Sequence, residues 1–134
     1  MRSLRVKAAA VGFAIFLIIA GLAGFVPAFT PHGLLFGIFS VGRVHSIIHL
    51  AAGMVALLCA FVGVDASRKY FQIFGLAFTL VGLMGFFYGS HPLLGMVQHN
   101  RADIGLEVAI AAVALFFGFG IDPLPSADTD ALYF

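Results

Sequence analysis

The sequence predicts an all-α integral membrane protein, a four-helix bundle built from two parallel helical-hairpin repeats. Three observations carry this. First, 62% of the 134 residues are apolar, only 10% carry a formal charge, and the mean hydropathy is +1.10. An ordinary soluble domain is about 25% charged and needs that polar surface. Second, four apolar runs each approach the about 20 residues that a helix needs to cross a bilayer. Third, the chain matches itself after a shift of 58 residues. The same composition excludes other classes. Disordered segments are polar and charged. A net charge of +1 gives no electrostatic footprint for nucleic acid. A single cysteine excludes a disulfide framework and any multi-cysteine metal site.

The four runs cover about 8–29, 44–64, 70–89 and 103–121. Pro27, Pro31 and Gly33 close the first, and Asp65, Ser67, Arg68 and Lys69 form a polar turn after the second. Ser90, His91 and Pro92 close the third, and Asn100 or Asp103 caps the fourth. A flexible acidic tail with two prolines follows over 122–134. Arg2, Arg5 and Lys7 before an apolar run resemble a secretory signal, with Val26-Pro27-Ala28 in the place of a cleavage site. The run is longer than a signal core of 7–15 residues, so it is expected to be a retained helix.

Basic residues set the orientation. Arg2, Arg5, Lys7, Arg68 and Lys69 fall on one side of a four-span arrangement, Arg43 and Arg101 on the other. Both termini are therefore expected in the cytoplasm. His32, His45, His49, His91, His99, Asp103 and Glu107 then lie in the extracytoplasmic half.

The internal repeat pairs 12–64 with 70–122 without a gap, giving 14 identities in 53 pairs. Chance gives roughly 5 with this composition. Each unit is a two-span hairpin, so both units share one orientation and their pseudo-axis runs along the membrane normal. Ala56 and Ala60 correspond to Ala114 and Gly118. Small residues at this spacing let helices approach closely in lipid, which predicts packing between helices two and four. The 16 phenylalanines are read as lipid-facing bulk or core filler.

Chemistry concentrates at the start of helices two and four. His45 and His49 stand at i, i+4, as do Asp103 and Glu107, so each pair shares one helix face. The repeat sets His45 opposite Asp103 and His49 opposite Glu107. With helix two centred near Met54, His49 sits about 7 Å from the midplane, inside the hydrocarbon. An ionised Glu107 facing lipid there costs a few kcal/mol, so it is expected to face inward and find a partner among His45, His49 and Arg43.

Three readings follow. In the first, Arg43, His45, His49, Arg101, Asp103 and Glu107 form a structural polar cluster that pins helix two to helix four. In the second, His45, His49, Asp103 and Glu107 hold a divalent Zn²⁺, Mn²⁺ or Fe²⁺, with His91 and His99 as further ligands. In the third, the histidines and acids sense or relay protons. Haem ligation is disfavoured because the histidine pair lies on one helix and its repeat counterparts are acids. No catalytic signature is present, and Ser46 occupies the general-base position of an HExxH-like spacing, so no enzyme activity is expected.

At these residues the chain resembles a domain-of-unknown-function family of small four-span bacterial membrane proteins. In that family span two opens H-N-x-x-H-L and span four opens A-D-N-x-x-H. The matching residues are His45, His49 and Leu50, then Ala102 and Asp103. Leu34-Leu35-Phe36-Gly37 and Leu93-Leu94-Gly95 resemble the leucine–glycine stretch before each motif. Ser46 and Ile104 depart from the motif asparagines, and Glu107 stands in place of the second-repeat histidine. The resemblance covers about 8–121 and implies the fold and a bacterial inner-membrane location, with no activity attached. The function expected from all this is a non-catalytic accessory or scaffold subunit. Its partners are the lipid bilayer and either other membrane subunits or further copies of itself. A metal-binding or proton-linked carrier is the alternative.

Overall fold

The computed structural model describes residues 2–40, 42–89, 91, 92, 95 and 99–120; the expected tail over 122–134, Leu93 and Leu94 lie outside them. Four helices are long and apolar enough to span a membrane, and large side chains such as Ile15, Phe61, Ile73 and Phe87 stand exposed on their outer faces. In hydrocarbon such exposure carries no penalty, and the backbone is satisfied within each helix. The chain is an integral membrane four-helix bundle.

Helix α1 spans Arg2–Ala23. It ends earlier than the apolar run because Pro27 has no N–H to give to the Ala23 carbonyl, and its ring clashes with that carbonyl in a continuing helix. The remainder of the run forms short 3-10 turns at Pro27–Phe29 and Pro31–Gly33. A two-stranded antiparallel hairpin that hydropathy alone did not reveal then follows. Strand β1 is Leu34–Leu35 and β2 is Phe39–Ser40. Its turn needs Gly37 at φ 74°, and Gly95, 58 positions later, has φ 71°. The same local bond closes both turns, Gly37 N–H to Leu34 O and Gly95 N–H to Pro92 O.

Helix α2 is Arg43–Val62 and α3 is Val64–Tyr88. The polar residues 65–69 are the first turns of α3 and not a loop. Gly63 alone, at φ 150°, breaks the chain between the two helices. Asp65 suits the positive end of α3, and Ser67 returns its hydroxyl to the Gly63 carbonyl at 2.8 Å. Helix α4 is Arg101–Leu115, continued by a π-helical segment Phe116–Gly120. That wider turn leaves the Gly118 carbonyl to accept from Arg68 Nε at 3.2 Å and Gln72 Nε2 at 2.9 Å.

The helices pack chiefly as two hairpins, α1 on α2 and α3 on α4, with lesser contact of α3 on α2 and α1. Glycines make the close approaches within hairpins. Gly53 lies against Ile18 and Ala14 of α1, Gly75 against Leu115, and Gly118 against Gln72 and Phe71. The expected small-residue seam between helices two and four is therefore corrected. Gly118 serves α3, and α2 and α4 are not among the closely packed pairs. A periodic stripe of small residues identifies a packing face without naming the neighbour.

The centre is aromatic. Phe13 of α1 meets Phe71 of α3 edge-on at 5.4 Å and Tyr70 at 6.0 Å, while the Tyr70 hydroxyl donates to the Ala52 carbonyl at 2.9 Å. Phe13 and Phe71 are 58 positions apart. A residue touches its own repeat counterpart where both lie near the pseudo-axis, so this pair marks that axis at one depth.

The hairpin of the first unit is tied to the second. Asn100 Nδ2 donates to the Ile38 carbonyl at 2.9 Å, and the Ser40 amide donates to Asp103 Oδ2 at 3.1 Å. Asn100→Ala removes both that bond and the helix cap. It is expected to cost about 1–2 kcal/mol and to speed amide exchange selectively over 34–40, which hydrogen-exchange mass spectrometry in micelles reads directly.

Candidate metal centre

His45 and His49 enter the bundle from the first turns of α2, and Glu107 from the second turn of α4. One helical turn separates the imidazoles, whose ring centres are 4.4 Å apart. All three side chains are buried, at 6%, 7% and 6% residual exposure. Glu107 therefore faces protein and not lipid. Its Oε1 lies 3.4 Å from His49 Nε2 and 3.7 Å from His45 Nε2. One potential ligand atom from each of the three residues falls within 4.8 Å of the others. His49 and Glu107 are repeat counterparts, so this contact marks the pseudo-axis a second time, toward the end of the bundle where α2 and α4 begin.

The other residues singled out in the sequence fall differently. Asp103 lines the same cavity but is not in the three-residue group. It occupies the third position of α4, where its Oδ2 accepts from the Asn100 amide at 2.8 Å and the Ser40 amide at 3.1 Å. Asn100 Oδ1 in turn accepts from the Asp103 amide at 2.9 Å. This reciprocal cap uses both residues that the sequence offered as alternatives. Of the four expected ligands, His45, His49 and Glu107 cluster, and Asp103 stands outside that group with its Oδ2 turned to two backbone amides. Arg43 and Arg101 are exposed at the helix starts, and among the described residues neither forms an ion pair. Both therefore lie outside the buried His45–His49–Glu107 group. His32 and His91 are exposed and outside the site.

His99 is the residue that the sequence underweighted. It lines a cavity of about 210 Å³ together with His45, His49, Asp103 and Glu107. Its ring lies beside Gly85, where an added Cβ would stand 3.6 Å from His99 Cδ2. Neither ring nitrogen has a hydrogen-bond partner among the described residues, although both are buried. The only signal for this in the sequence is one more histidine at the same end of the bundle.

Further buried atoms that lack a hydrogen bond among the described residues include His49 Nε2, Glu107 Oε2 and Ser46 Oγ. Ser46 is accommodated because Gly24 faces its hydroxyl, where a Cβ would collide. An unsatisfied buried polar group costs about 1–3 kcal/mol, and those of His49, Glu107 and His99 border one cavity.

The family model described as a domain of unknown function, DUF4383, matches residues 7–120. The chain belongs to the DUF4383 family. No curated protein and no solved structure gives a significant match. The DUF4383 match spans all four helices and the whole His–His–Glu group.

Proposed function

We propose that this DUF4383 protein is a small, non-catalytic membrane protein that holds a divalent transition metal through His45, His49 and Glu107. Zn²⁺, Mn²⁺ and Fe²⁺ are the ions its donor set suits. The spacing of the three ligands carries the reading. A direct N–H···O bond is about 2.9–3.0 Å long, and the two Glu107 contacts at 3.4 and 3.7 Å exceed it. Donors about 2.0–2.1 Å from a shared tetrahedral ion stand about 3.3 Å apart, near the two histidine–glutamate spacings, and all three donors lie within 4.8 Å of one another. The lack, among the described residues, of a hydrogen bond at His49 Nε2 and Glu107 Oε2 favours an ion over a latch in which every group is satisfied.

The basic residues support a bacterial inner-membrane orientation with both termini in the cytoplasm. The metal then sits toward the extracytoplasmic side. Small size and short connections favour an accessory role beside other membrane subunits or further copies of the chain.

Elemental analysis of protein purified in detergent without chelator tests this. The wild type is expected to carry stoichiometric metal, Glu107→Gln and His49→Ala to lose it, and Asp103→Asn to retain it. Wild-type protein that stays metal-free after equilibration with zinc, manganese and ferrous ions overturns the proposal and restores the structural latch.

A further inference from the structure

His45, His49 and Glu107 offer three donors to the proposed ion. Closed structural sites hold a tetrahedral ion through four side chains, whereas three leave one position open. A further donor borders the same cavity of about 210 Å³, the imidazole of His99. Both of its ring nitrogens are buried and lack a hydrogen bond among the described residues. A neutral imidazole carries one N–H and one lone pair, and the lone pair is what a transition metal takes. Gly85 of α3 leaves space beside the ring, since an added Cβ there would stand 3.6 Å from His99 Cδ2.

The charge of the cavity suits a cation. Glu107 and Asp103 both line it and are both buried. Two carboxylates can supply the two negative charges that match one divalent ion, and a buried charge needs such a match. Neutral imidazoles add no charge, so a third one leaves that balance intact. Asp103 gives its Oδ2 to the Ser40 and Asn100 amides, which keeps it beside the ion and not on it.

We propose that His99 is the fourth ligand, so that four side chains close the shell while Asp103 balances its charge from outside; this rests on the metal reading above. His99 stands outside the group whose donor atoms lie within 4.8 Å of one another, so its ring turns further into the cavity as the ion enters. The next residue is fixed: the Asn100 amide donates to Asp103 Oδ2 at 2.8 Å, and its side chain donates to the Ile38 carbonyl at 2.9 Å. The adjustment therefore falls on the His99 ring. A shell closed in this way leaves no position for a substrate, and the ion ties the approach to α4 to α2.

Cobalt(II) makes the shell visible in its absorption spectrum. The full chain in uncharged detergent is titrated with cobalt as wild type, His99→Ala and His91→Ala. Losing a partner of a metal ligand typically costs about 10–100-fold in affinity, so losing a ligand itself is expected to cost His99→Ala at least about tenfold and to shift its visible bands. Added imidazole is expected to restore the bands and most of the affinity in His99→Ala and to leave the wild-type bands unaltered. His91 is exposed, and His91→Ala is expected to match the wild type. Wild-type affinity and bands in His99→Ala overturn the fourth ligand while leaving the three-residue centre intact. Weakened binding with unshifted bands that imidazole does not repair assigns His99 to packing and overturns its ligation. Wild-type bands that move with imidazole reveal an open position and overturn the closed shell. Failure of the wild type to bind cobalt at all defeats the metal reading itself.

Discussion

Replacing both imidazoles, His45→Leu with His49→Leu, is expected to destabilise the bundle by about 3–5 kcal/mol when metal is removed by a chelator. The reason is the carboxylate left behind. Glu107 is buried, and its carboxylate lies 3.4 and 3.7 Å from these two histidines. Without them it must stay charged in a low-dielectric interior or take up a proton, and either costs free energy. The decisive arm is the triple variant that adds Glu107→Leu. Removing the last polar group is expected to restore most of the lost stability, since a buried polar cluster replaced by apolar side chains is often neutral or better. Reversible unfolding in mixed micelles measures all three proteins. A triple variant no more stable than the double would mean that the histidines contribute packing and not charge compensation. Repeating the wild-type measurement with zinc at a hundredfold excess over its dissociation constant should add about 2.7 kcal/mol, a gain absent from the triple variant.

Hydropathy and the 58-residue period made the fold legible, because a bilayer leaves few alternatives to apolar helices. The site was legible where symmetry constrains it. His49 and Glu107 are counterparts on the inward face, and residues near a pseudo-axis meet their own counterparts, as Phe13 and Phe71 also do. Asp103 was not placed by that logic. Its carboxylate is claimed by a cap and by the Ser40 amide, 63 residues distant in sequence. Nothing local distinguishes a carboxylate that faces a histidine from one that turns back to its own helix start. The hairpin at 34–40 was hidden because its strands are as apolar as the spans beside them. Residues 65–69 resemble a loop in the sequence because charge interrupts the apolar run there. Helices continue beyond the hydrocarbon into the interface, and only Gly63, with its positive φ, ends one helix and begins the next.

Gly53→Val is expected to separate α1 from α2 and to empty the proposed metal site in the same step. A Cβ at Gly53 would stand 2.7 Å from Ile18 Cγ1, 2.9 Å from the Ile18 amide nitrogen and 3.0 Å from the Ala14 carbonyl oxygen. Two of these neighbours are backbone atoms. No change of rotamer can relieve that crowding, so the helices themselves must move apart. Overpacking of a fitted core costs about 1–3 kcal/mol. Lost contacts along the seam add to this, because packing is a main force holding helices together in lipid. His49 lies one turn before Gly53 on α2, so the displacement carries its imidazole away from Glu107. Gly105→Ala is the matched control. Gly105 lies between Asp103 and Glu107 on α4, yet a Cβ there meets nothing within 4 Å. It is expected to leave both the thermal midpoint and the metal content unchanged. If Gly53→Val lowers the midpoint but keeps its metal, the three ligands follow one another through the shift, and the centre is held by the ion more than by the helix seam.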